Sequence, residues 1–169
     1  MKKTMVVVLM SLVLCALGIA PAAAADGANV TTVDAGATIA SVNSAAGFTS
    51  GPGSTVDGNI TAVAGVTIGS EGKVNGNVVA GEGFASGAKA RIKGSISAKA
   101  VFTSGADSTI GGNVTAGADF TSGANSVIAG DVVATGSITL GAGSKILGSV
   151  HSGNKKIIYG RGATVGSVK

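Results

Sequence analysis

Cysteine is all but missing from this chain: Cys15 is the one copy, and it stands inside an apolar run near the start. Past that run no disulfide can brace the fold and no thiolate can hold a metal. Tryptophan is absent, aromatics make up 3% of the residues and proline occurs twice, so large rings cannot supply most of the core. Charged residues are also few, at 12%, which argues against the charge-rich, apolar-poor composition of disordered chains. Long apolar runs are missing after the first 25 residues, so no membrane span is expected in the rest. What is abundant is glycine, 29 copies, together with Val, Ile, Ala, Thr and Ser. Glycine-rich but also rich in β-branched residues, the chain suits an ordered all-β fold.

Residues 1–25 form a separate object. "MKK" is a basic n-region, "TMVVVLMSLVLCALGIA" an apolar h-region, and "PAAAA" a run of small residues fit for cleavage near Ala25. This is the pattern of a bacterial secretory signal, and the expected location is the periplasm, cell surface or extracellular space. Leu14 is too bulky for the position before a lipidated cysteine, so Cys15 is not expected to carry a lipid. Without Lys2 and Lys3, ten basic residues face eight acidic ones, a net charge of +2. That balance is too small to imply nucleic acid as a partner.

The phenylalanines carry the organisation. Phe48, Phe84, Phe102 and Phe120 are separated by multiples of 18, a coincidence of about one in 5,800 for random placing. Val66 and Ile138 fill the vacant places, giving six consecutive 18-residue units from Phe48, and a seventh starts at Ile157 after one extra residue. Two more aliphatic columns keep the phase, Val56 to Ile146 and Ile60 to Val150, and two glycine columns run from Gly51 to Gly141 and from Gly58 to Gly148. Flexible linkers do not hold a hydrophobic phase over so many units.

Each unit splits into three hexads, as in "FTSGAD", "STIGGN", "VTAGAD". The first and third residues are apolar or small and the last three are rich in Gly, Asn and Asp, which reads as a three-residue strand followed by a bend. Three strands and three bends close one triangular coil, and coils stack at about 4.8 Å. Volumes support the pairing of inward positions. Where the first is Phe the third is Ser (Ser50, Ser86, Ser104, Ser122), and where it is Val66 or Ile138 the third grows to Ile68 or Leu140. The expected fold is therefore a single-domain triangular parallel β-helix of about seven coils. Phe48, Phe84, Phe102, Phe120 and Ile138 lie in its core stack, and residues 26–47 form a degenerate coil or cap. The glycine columns are expected at corners, for φ > 0 or close backbone approach.

The series "STVDGNITAVAGVTIGSEGKVNGNVVA" and "SVIAGDVVATGSITLGAGSKILGSV" resembles the bactofilins, a polymer-forming bacterial scaffold family, over about residues 48–168. The shared motif, aliphatic, spacer, Gly, Asn or Asp, aliphatic, recurs in "VDGNI", "VNGNV", "IGGNV" and "IAGDV". The resemblance implies a right-handed triangular β-helix that polymerises end to end without nucleotide. Members of that family are typically cytoplasmic or bound to the inner membrane face, so the export pattern here is a departure.

Three function classes compete. For self-association, β-helix ends carry unpaired strand edges. One end bears Val30, Val33, Ile39 and Val42 and the other Ile157, Tyr159, Val165 and Val168, with no helix cap at either. For catalysis, a hexapeptide-repeat acyltransferase needs a catalytic His and a shaping loop, whereas His151 sits in an outward column with Thr61, Thr115 and Val133. Asp57, Asp107, Asp119 and Asp131 fall mostly at bends. Neither enzyme nor cofactor nor metal is expected. For surface binding to ice or polysaccharide, Thr49, Thr67, Thr103, Thr121 and Thr139 form a ladder broken by Ala85, and Lys89, Arg91, Lys93 and Lys99 form a basic patch suited to envelope polysaccharide. The expectation is an exported structural homopolymer.

Overall fold

A computed structural model describes residues 31–169; the secretory pattern and Val30 lie outside the described residues. Within this span are twenty-two short strands and no helix, numbered here in chain order. Every pairing is parallel and joins a strand to its copy one turn later. The result is a triangular β-solenoid of eight turns.

The first turn shows how one layer is made. Strands β1 (Thr31–Val33), β2 (Thr38–Ile39) and β3 (Val42–Ser44) form its three sides. They pair in turn with β4 (Phe48–Ser50), β5 (Thr55–Val56) and β6 (Ile60–Ala62). One face is an eight-stranded sheet ending in β21 (Ile157–Tyr159). The other two faces join into a fourteen-stranded sheet, because β20 (Lys145–Ser152) runs around a corner without a break. The last strand, β22 (Thr164–Val168), pairs only with β20.

Register gives the turn lengths. Thr31 lies opposite Phe48, Phe48 opposite Val66 and Ile138 opposite Ile157. The first turn is therefore one residue short and the seventh one long, with strict 18-residue spacing between. Because the first turn is short, Thr31 rather than Val30 occupies the Phe48 column. The extra residue enters after Ser152, in a corner where Lys155 takes φ 58 and the Lys156 N–H donates to Asn154 Oδ1 at 3.0 Å.

The interior follows the period-2 pattern that a short strand imposes. Phe48, Phe84, Phe102, Phe120 and Ile138 are all buried, and their in-turn partners Ser50, Ser86, Ser104, Ser122 and Leu140 are buried with them. Phe102 stacks on Phe84 at 5.1 Å between ring centroids and on Phe120 at 4.8 Å, with interplanar angles of 11° and 4°. These offsets are set by the strand spacing, so each ring meets its copy at the distance aromatic pairs favour.

Glycine and left-handed backbone fall in different columns. A β-carbon on Gly141 would come within 2.5 Å of the Gly123 carbonyl carbon, and one on Gly148 within 2.6 Å of that of Gly130. Neither column has positive φ; close approach between turns is what excludes a side chain there. Positive φ belongs to the first corner instead, at Gly53, Glu71, Lys89, Asp107, Asn125 and Gly143.

Polar groups form two further ladders along the axis. At one corner the side-chain oxygen of each residue accepts the backbone N–H of its copy one turn on. The contacts run from Ser41 to Asn59, Asn59 to Asn77, Asn77 to Ser95, Ser95 to Asn113, Asn113 to Asp131 and Asp131 to Ser149, at 2.6–3.2 Å. On the second side the hydroxyls of Ser108, Ser126 and Ser144 donate back to the corner carbonyls of Gly87, Gly105 and Gly123. The side-chain oxygens of Asn59 and Asn113 thus serve to satisfy backbone N–H groups between turns.

Candidate self-association surfaces

A solenoid layer has two flat sides, and an end layer is covered on only one of them. Among the described residues β1, β2 and β3 each pair on one side, as do β21 and β22 at the opposite end. The outer N–H and C=O groups of β21 and β22 are templates for a further strand.

The side chains at the two ends differ. In the first turn Val33 and Val42 are 5% and 3% exposed, and Ile39 is half-buried against Val56 in register. In the last turn Tyr159 is 45% and Val168 57% exposed, while Ile157 and Val165 are half-buried. The register partners of Tyr159 and Val168 one turn back, Leu140 and Val150, are 1% and 0% exposed. Tyr159 and Val168 thus occupy inward columns yet remain open. The structure brings Ile157, Tyr159, Val165 and Val168 together in one end layer, as it does Val33, Ile39 and Val42 at the other; Val30 is outside the described residues.

Beside the C-terminal layer lies a cleft of about 360 Å³ lined by His151, Lys155, Ile157, Val168 and Lys169 among others. His151 Nδ1 is 3.1 Å from a main-chain oxygen of Lys169, so the ring is engaged with the chain end that follows β22 rather than with a nucleophilic side chain. The 18-residue phase places His151 in the outward column of Thr115 and Val133, in the last full coil, and the strand pairing sets it opposite Val133.

The lateral faces carry two ordered rows. Thr32, Thr49, Thr67, Thr103, Thr121 and Thr139 stand in register on the first face, interrupted by Ala85 and ended by Ile158. Thr32 is a member that the 18-residue phase hides, since the first turn is one residue short. On the second face Lys73 lies directly opposite Arg91, with Thr55 and Thr109 as the outer neighbours.

Ionisable groups are few and mostly solvated. The hydrogen bonds from the Ser149 backbone N–H and hydroxyl hold the Asp131 carboxyl below the usual carboxylate range, against a smaller opposing effect of desolvation. Among the described residues no group of three His, Cys, Asp or Glu is close enough to hold a metal ion, and no helix is long and apolar enough to cross a membrane. Searches for similar proteins found no matching family model, no significantly similar curated protein and no significantly similar solved structure.

Proposed function

We propose that this is an exported structural protein that self-assembles end to end into filaments or a lattice at the periplasm or cell surface. The observation that supports the reading is the open C-terminal layer, in which Tyr159 and Val168 stay 45% and 57% exposed at positions that are buried in every earlier turn. A second chain laid on that layer would complete both things it lacks, a strand partner for the β21 and β22 edges and cover for the apolar side chains. The cohesion involved is the one already operating between turns, backbone pairing and apolar stacking, so no new chemistry is required. Export rests on the n-, h- and cleavage-region pattern of residues 1–25. Kinship with the bactofilins belongs to the same proposal and rests on the repeated aliphatic, Gly, Asn or Asp, aliphatic motif. Catalysis and cofactors have no part in this reading.

Negative-stain electron microscopy and light scattering over a concentration series test it. Elongated particles whose length grows with concentration are expected. Monomers at every concentration would sink the proposal.

A further inference from the structure

From the second lateral face we infer that the strip centred on Lys73 and Arg91 docks a linear acidic polysaccharide, a polyuronate, lying along the solenoid axis. Strands β5, β8 (Lys73–Val74), β11 (Arg91–Ile92) and β14 (Thr109–Ile110) are consecutive on that face. Their outward residues are Thr55, Lys73, Arg91 and Thr109, in direct register. Like charges directly opposite each other on neighbouring strands repel and weaken a sheet, yet here Lys73 and Arg91 are so placed, and both are exposed. Lys93 follows two residues after Arg91 on the same outward side and is also exposed.

The neighbouring carboxylates do not neutralise this strip. Among the described residues the one ion pair is Lys89 with Glu71 at 3.9 Å. The Asp57 and Asp107 carboxylates accept the side-chain amides of Asn75 at 2.6 Å and Asn125 at 3.2 Å. Lys73, Arg91 and Lys93 are left facing solvent without an anion.

The spacing and the flanking groups choose the partner. Strands repeat every ~4.8 Å, close to the length of one sugar unit in an extended polysaccharide, so successive uronates can meet successive rungs. The Arg91 guanidinium offers a carboxylate two parallel N–H donors, and Lys73 offers a compact charge. Hydroxyls of Thr55 and Thr109 on the outer rungs suit the hydroxyl-rich sugar ring. Nucleic acid fits less well, because bases stack on exposed aromatics. This strip has none, and all four phenylalanines are buried.

The inference does not rest on self-assembly, and the same samples can be monitored for assembly by light scattering. Calorimetric titration of the full chain with sodium polygalacturonate at low salt should show binding that fades as salt screens it. The double variant Lys73→Gln/Arg91→Gln should bind roughly thirtyfold more weakly while keeping the wild-type circular dichroism spectrum. Lys145→Gln, in the same outward column but outside the strip, should stay within about twofold of wild type. No binding at low salt, equal binding by the double variant, or equally tight binding of neutral dextran or of inorganic polyphosphate would each overturn the assignment.

Discussion

Replacing Val168 by aspartate separates end-layer cohesion from the stability of the fold. Val168 is 57% exposed, whereas Val150 in the same column is fully covered by the turn that follows it. Complete burial of a valine stabilises by about 1.5–3 kcal/mol, so covering the exposed part of Val168 contributes about 1 kcal/mol or slightly more. Val168→Ala removes most of that and should raise the concentration for half-assembly by about fivefold. Val168→Asp loses the same amount and also leaves a carboxylate buried without a partner, a further cost of several kcal/mol. Together these amount to about 4 kcal/mol, or roughly a thousandfold in assembly concentration. In the isolated chain only the covered part of the side chain is lost, so unfolding should change by only about 1 kcal/mol. Val63→Asp is the matched control, since Val63 is 67% exposed at a corner of the second turn, far from the C-terminal layer. Sedimentation velocity over a dilution series reads assembly, and thermal melts at the lowest concentration read folding. The reasoning fails if Val168→Asp assembles at the wild-type concentration, or if Val63→Asp disrupts assembly just as strongly.

Three further expectations concern the fold itself. The Ser86 and Ser104 hydroxyls are buried beside the phenylalanine stack and have no hydrogen-bond partner, so Ser104→Ala should leave stability unchanged or raise it by up to about 2 kcal/mol in chemical denaturation; a loss above about 1 kcal/mol would show that the hydroxyl is paired. Lys89 holds φ 59 at the first corner, where a β-carbon costs about 1 kcal/mol. Lys89→Gly should therefore raise the melting temperature, and Asn125→Gly should raise it less, because asparagine tolerates that conformation better. Finally, the Asp131 carboxyl is held below its ordinary value by Ser149. A depressed carboxylate adds stability above its unfolded pKa of about 3.9, and that stability is lost as pH falls through the folded value. Melts of Asp131→Asn and wild type should differ near neutrality and converge below about pH 4; a constant gap would show that charge is not involved.

The inward columns were legible in the sequence because two constraints act on them at once. Strand alternation fixes which residues face inward, and a fixed interior volume makes Phe48 travel with Ser50 and Val66 with Ile68. The corners were legible only in part. Glycine at Gly141 and Gly148 marks close approach between turns, which leaves no room for a β-carbon, so residue type reports the constraint directly. Left-handed backbone at Glu71, Lys89, Asp107 and Asn125 left no such mark. There the turn dictates φ while the side chain points into water, and residues of different chemistry serve equally. The oxygen ladder was half visible, since Asn59, Asn77, Asn113 and Asp131 stand in one column. Ser95 interrupts the pattern by name but not by function, its hydroxyl oxygen accepting the Asn113 N–H, and Ser149 closes the ladder by donating to Asp131. The one-residue offset of the first turn is what a fixed period cannot anticipate, and with it the place of Thr31 over Phe48.

The similarity of the two ring contacts, Phe84 with Phe102 and Phe102 with Phe120, has a consequence for how such a chain changes size. Excising residues 102–119 would set Phe120 where Phe102 stood and Asp131 above Ser95, each meeting a neighbour of the kind it already has. Inserting a copy of the same segment would extend every ladder by one rung. Length is therefore a quantity that gene duplication or deletion can adjust in steps of about 4.8 Å while leaving both ends, and whatever they bind, untouched. The molecule is built like a ruler, with its graduations inside.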